Sequence, residues 1–143
     1  MCRVELANPD TDWERSWMLA RLPGLEPENV SFIFKMMHQI RPTQERVART
    51  SPRTSPACPM PGCRTDREDL PHALVMCEWN GGVGVRIMAC LRNFVPNLDV
   101  STALRLELEV DEEMQLPLVG LVGTVCQAIW KLRIENPESN YMK

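Results

Sequence analysis

Four residues in the middle of the chain, Cys58, Cys63, His72 and Cys77, stand at the spacing C-x4-C-x8-H-x4-C. Three thiolates and one imidazole are a donor set that zinc takes in tetrahedral array, with Zn–S near ~2.3 Å and Zn–N near ~2.0 Å. Cys58 and Cys63 are separated by Pro-Met-Pro-Gly, a turn that folds the chain back so that both sulfurs can meet one ion. His72 and Cys77 lie five residues apart. On a helix opened by Glu68-Asp69-Leu70 they can close the other side with an adjustment of the last turn. A bound ion lowers the thiol pKa enough to hold thiolates at neutral pH, and nearby arginines offset the resulting charge. A redox pair of Cys58 and Cys63 is the competing reading, but it leaves His72 and Cys77 without a role. One structural zinc ion is therefore the expected cofactor. Cys2, Cys90 and Cys126 fall outside the cluster, and Cys90 and Cys126 sit on apolar stripes where a free cysteine acts as a small hydrophobe. His38, at the polar edge of its helix, reads as a surface histidine.

The elements that must position this set are mostly helices. Prolines at 42, 52, 56, 59, 61 and 71 exclude regular helix or central strand through the segment that carries the first cysteines. Before it, residues 10–20 read as a helix capped by Thr11 or Asp12 and ended by Pro23-Gly24. Pro27 suits the first turn of the next helix, along which Val30, Ile33, Phe34, Met37 and Ile40 recur at helical spacing until Pro42 forbids continuation. Thr43 can then cap a short basic helix, QERVAR. After the cluster Gly81, Gly82 and Gly84 mark a break, and Val83, Ile87, Cys90, Leu91 and Phe94 share one helical face up to Pro96. Residues 103–110, ALRLELEV, alternate like a half-buried strand yet consist of helix formers, so helix and strand both stay open. Residues 117–134 make a long helix with Leu118, Leu121, Val122, Val125, Ile129 and Trp130 on its buried side. The expected fold is mainly α, a small helical domain around an irregular CCHC zinc knuckle. It divides into an N-terminal helical segment (1–50), a proline-rich loop with the knuckle (51–80) and a C-terminal helical segment (81–143).

At 143 residues, with 44% apolar and 24% charged, the chain has the size and composition of one globular domain. Its net charge of −3 conceals a polarity: residues 35–67 carry seven basic and two acidic side chains, a local balance of +5. That segment is a candidate patch for a polyanion, or simply a solvated loop. As a patch it would offer phosphates Arg41, Arg46, Arg49, Arg53, Arg64 and Arg67. Trp79 would either stack on a base or pack against the knuckle. The first residues show neither the positive start nor the apolar run of a signal peptide, and the apolar stretch 116–130 is short for a membrane span and holds Gln127. An intracellular location, no membrane partner and metal ligation rather than disulfides are the corresponding expectations. No nucleophile–base–orienter set and no phosphate loop stands in the sequence, which argues against an enzyme.

The succession FIFKMMHQI, PTQERVAR, a proline-rich basic loop, CPMPGC, EDLPHALVMC and a helical tail resembles the zinc-binding region of reverse transcriptases from LINE-type (non-LTR) retrotransposons. The resemblance spans roughly residues 13–133. It implies Cys58, Cys63, His72 and Cys77 as zinc ligands, and binding of single-stranded RNA or DNA in a region that follows the polymerase domain. The first cysteine pair of that family is commonly closer than x4. The family's polymerase motif, an aromatic residue and then Asp-Asp after one position, has no counterpart, since no Asp-Asp pair occurs and the one tyrosine is Tyr141. Two metal ions held by paired carboxylates, which that chemistry needs, therefore have no ligands here. The expected role is a zinc-dependent nucleic-acid-binding module detached from its polymerase. The alternatives are a structural or protein-interaction zinc module, self-associating or docking through its C-terminal helix, and a decayed element remnant.

Overall fold

Caps and breakers place the helices. In the computed structural model, which describes residues 2–139 and 141, α1 spans Arg3–Ala7 and α2 spans Trp13–Leu19. Oδ1 of Asp12 accepts the Arg15 amide at 3.1 Å and so opens α2. Pro27 begins α3 (Pro27–Met37), where its missing N–H has no helical partner to lose. The Thr43 hydroxyl accepts the Arg46 amide and caps α4 (Gln44–Thr50). After an irregular stretch come a π-helical turn (His72–Met76), a 3-10 turn (Glu78–Asn80), α5 (Val83–Leu91), α6 (Val100–Leu104) and α7 (Glu112–Glu135). No strand occurs among the described residues. The protein is mainly α, with its helices around the Cys/His segment, as the sequence predicts. α1 is an addition that the sequence does not announce.

α7 is the axis of the core and packs against α2, α3, α5 and the π-helical turn. Leu118, Val119, Val122, Cys126, Ile129 and Trp130 are buried along it. Gly123 lets α3 come close, because a Cβ there would stand 2.9 Å from Cδ1 of Ile33. Asn29 of α3 donates to the Thr124 hydroxyl at 3.0 Å across the same contact. At 24 residues α7 is, by length and composition, long enough to cross a membrane, longer than the apolar stretch suggests. Its buried stripe faces these four elements and ends at Arg133, which is the pattern of a core helix.

Two expected faces, on α3 and α5, turn out rotated, and that of α7 differs in part. On α3 the buried residues are Asn29, Phe32, Ile33, Met36 and Met37, while Phe34 and Ile40 are exposed. On α5 the buried residues are Gly84, Met88 and Leu91, so Val83, Cys90 and Phe94 face outward and Cys90 is not a core residue. Gly84 causes that turn: a Cβ on it would lie 2.5 Å from Cα of Val75, so only glycine lets the helix lie on the backbone of the π-helical turn. On α7, Leu121 and Val125 are only half-buried while Val119 and Cys126 are buried. Residues 103–110 are neither a helix nor a strand throughout. α6 ends at Leu104, Leu106 follows in a turn with φ +54°, and Leu106 and Leu108 are fully buried with no strand at either. The alternation recorded burial, which a chain without a pairing partner can also show.

Candidate metal centre

The ligand loop is held by backbone bonds. The Cys58 amide donates to the Thr65 carbonyl at 3.0 Å and the Cys63 amide to the Met60 carbonyl at 3.2 Å, closing the Pro-Met-Pro-Gly turn. Gly62 at its apex has φ +78°, a left-handed conformation that glycine adopts without strain. The Glu68 amide donates to the Pro56 carbonyl at 2.7 Å and sets the loop against the next segment. Asp69 then caps the turn that follows, its Oδ1 accepting the His72 amide at 2.9 Å.

That turn resolves the five-residue spacing. An α-helix aligns residues three or four apart, whereas a π-helical turn closes i to i+5. Here the Cys77 amide donates to the His72 carbonyl at 2.9 Å, and His72 and Cys77 reach the same point. The ligand atoms of Cys58, Cys63, His72 and Cys77 all lie within 4.8 Å of one another. The sulfurs of Cys58 and Cys77 are 3.7 Å apart and the Cys63 sulfur is 3.6 Å from Nε2 of His72. A tetrahedral ion with metal–sulfur bonds of about 2.3 Å and a metal–nitrogen bond of about 2.0 Å requires separations of about 3.8 and about 3.5 Å. The donor set therefore fits one tetrahedral metal ion, and all four cysteine and histidine side chains expected from the sequence are brought together. None of the three thiols is in a disulfide.

The group is half in and half out of the protein. Cys58 and Cys77 are buried, while Cys63 and His72 border a hollow of about 630 Å³ with Arg64, Thr65, Met76 and Glu78. The ligands differ electrostatically for that reason. Burial pushes the Cys58 thiol up to about 12, against the pull of hydrogen bonds and of the Arg133 charge. Burial also raises Cys63, but hydrogen bonds with Thr65 and with the neighbouring cysteines outweigh it and leave that thiol below its ordinary value. Burial and the Arg133 charge lower His72, which favours the neutral imidazole that a metal needs.

Arg133, which the sequence reading overlooks, lies directly behind the ligands. It is fully buried on the last turn of α7. Nη2 donates to Cys58 Sγ at 3.3 Å and to Glu68 Oε2 at 2.5 Å, Nη1 donates to Asn80 Oδ1 at 3.1 Å, and Nε donates to the Tyr141 hydroxyl at 3.1 Å. Glu68 also accepts the Gln44 amide at 2.8 Å and the Tyr141 hydroxyl. Burial raises the Glu68 carboxyl above its ordinary value, and these donors work against it. The signal in the sequence was an arginine on the apolar stripe of a core helix, three residues after Trp130.

The remaining cysteines and His38 stand apart from this group. Cys126 is buried in the core, and burial pushes its thiol up to about 12. His38 is stacked against Trp17, with centroids 4.7 Å apart, and lies 4.3 Å from Phe34. The six arginines divide into two sets. Arg49 and Arg67 both pair with Glu45, at 3.0 and 3.1 Å. Arg41, Arg46, Arg53 and Arg64 form no ion pair among the described residues. Arg41 lies over the Phe32 ring at 4.3 Å with its Nε buried and without a hydrogen-bond partner, and Arg46 donates to the Gln39 carbonyl at 3.2 Å. Arg41, Arg46 and Arg49 border one groove of about 240 Å³, whose other wall is Asp69, Leu70 and Pro71, the residues that lead into His72. Trp79 is half-buried against the core, so of its two expected roles the structure favours packing.

No family model, curated protein or solved structure matches the chain.

Proposed function

We propose that the chain is a zinc-dependent module that binds single-stranded nucleic acid, corresponding to the zinc-binding region of LINE-type reverse transcriptases and lacking their polymerase site. Zinc is the metal whose preferred ligands and geometry agree best with three thiolates and one imidazole at these separations. When bound it supplies folding energy to a segment too irregular and too rich in proline to hold itself. The single observation that supports a nucleic-acid role is the groove shared by Arg41 and Arg46 beside the metal turn: neither guanidinium is in an ion pair, although Glu45 and Asp69 also line the groove. Arg53 and Arg64 are exposed, and Arg64 borders the hollow beside Cys63 and His72. Phosphates are the ligands such groups recognise, and the association is expected to be weak and sensitive to salt.

The test is a titration of labelled single-stranded RNA and DNA oligonucleotides with zinc-loaded protein at several salt concentrations. If four phosphates are neutralised, log K falls against log salt with a slope near −3, at about −0.7 per contact. Replacing Arg41, Arg46 and Arg53 by Ala flattens the slope by about 2 on the same arithmetic, with zinc content unchanged. A second reading, a protein-docking module, draws on Val83, Val85 and Phe94 of the α5 region, each of which is exposed. No detectable binding to either oligonucleotide at low salt, combined with self-association of the zinc-loaded chain, decides for that second reading.

A further inference from the structure

We propose that Arg133 is a positioning residue of the metal centre: it holds the Cys58 thiolate in its ligand orientation and ties the metal-loaded loop to the end of α7. The inference rests on the reading that the four ligands hold zinc.

A fully buried guanidinium is strongly disfavoured unless its charge and its donors are all met. Here they are met by four partners from three stretches of chain. Glu68 comes from the ligand loop, Asn80 from the turn after Cys77, Tyr141 from the carboxyl-terminal stretch, and Cys58 is itself a ligand. The partners are fixed in turn. Asn80 donates to the Ala73 carbonyl at 2.9 Å inside the π-helical turn, and Glu68 accepts the Gln44 amide at the start of α4. Arg133 therefore cannot swing away without breaking contacts in every segment that builds the site.

Charge balance gives the arrangement its second purpose. A divalent ion with three thiolates and a neutral imidazole carries a net charge of −1, and Cys58 is one of its two buried sulfurs. An N–H donor at 3.3 Å from that sulfur stabilises the thiolate and fixes where its lone pairs point. Glu68 keeps the guanidinium aimed at the sulfur. The coupling must be reciprocal. Whatever affinity zinc gains from a preset Cys58, the last turns of α7 gain in stability when zinc binds.

The test compares wild type, Arg133→Met and Arg133→Lys for zinc affinity, by competition with a chromogenic chelator, and for the absorption spectrum with cobalt(II) in place of zinc. Arg133→Met is expected to weaken zinc by about 10–100-fold and to shift the thiolate-to-cobalt charge-transfer band. Arg133→Lys keeps the charge, and is expected to recover part of both. In wild type, chelation is expected to speed amide hydrogen exchange in residues 129–135. Affinity and cobalt spectrum equal to wild type in folded Arg133→Met overturn the proposal while leaving the zinc reading intact. Should Arg133→Met fail to fold, Arg133→Lys and Tyr141→Phe decide: weaker binding with a shifted band supports it, and unchanged values in both overturn it. A wild type that takes up neither metal overturns the zinc reading, and this inference with it.

Discussion

The α3–α7 pair and the segment 56–80 are neighbours held together by opposite means. Between the helices the contacts are apolar and close, with Ile33 fully buried against the small Gly123 and Val119 and Val122 buried beside it. The segment 56–80 also buries Met60, Ala73, Leu74 and Val75, but around its ligands the buried groups are two thiols, a carboxylate and an amide side chain, bound by hydrogen bonds to Arg133 of α7 and shaped for a metal. Apolar contacts need no particular partner and tolerate the absence of any ligand. Buried polar and ionic groups are stable only when every member is satisfied, so removing one disturbs the rest. The helical pair is therefore expected to keep its structure when the metal is removed. The ligand segment is expected to loosen.

The largest effect should come from Cys77→Ser, which removes a buried ligand. It is expected to abolish stoichiometric zinc binding and to increase proteolysis between residues 51 and 80, while most helical circular dichroism is retained. Complete loss of helical signal would break the comparison, since the helices would then depend on the metal too. Ile33→Ala attacks the other region. It is expected to lower unfolding free energy by about 2–5 kcal/mol, measured by urea denaturation, with zinc stoichiometry still one per chain.

The pH dependence of zinc uptake sharpens the contrast further. In the metal-free protein burial holds the Cys58 thiol at about 12, so it is protonated near neutrality, whereas the bound form is a thiolate. Binding must release that proton, and the affinity rises with pH, by about tenfold per unit for this one group. Chelator competition at pH 6, 7 and 8 reads it, and a flat profile contradicts it. The urea stability contributed by the apolar helical pair should change far less over the same range. The smallest effect belongs to the surface. Glu45→Gln releases Arg49 and Arg67 from their shared ion pair, both of them largely exposed. It is expected to leave stability almost unchanged, because exposed pairs contribute little. Affinity for a single-stranded oligonucleotide should rise a few-fold at low salt, and a fall in affinity would count against phosphate binding by these side chains.

The sequence by itself determined the Cys/His group, the mainly helical class and several helix starts. These are local properties: thiol and imidazole donors at short spacings, Asp12 and Thr43 as caps, Pro27 as a first-turn residue, and prolines that cannot continue a helix. Tertiary structure decided which face of each helix is inside. A stripe of apolar residues at helical spacing can be read one residue to either side, and the choice on α5 was made by Gly84 meeting the backbone of Val75. It also decided how His72 and Cys77 converge, since the i to i+5 closure of a π-helical turn has no local signature in the sequence. The partnership of Arg133 with Glu68, Asn80, Tyr141 and Cys58 was illegible in one dimension for the same reason. Residues 8 to 75 positions apart in the chain acquire a shared hydrogen-bond network only after the core helix has docked and excluded water from between them.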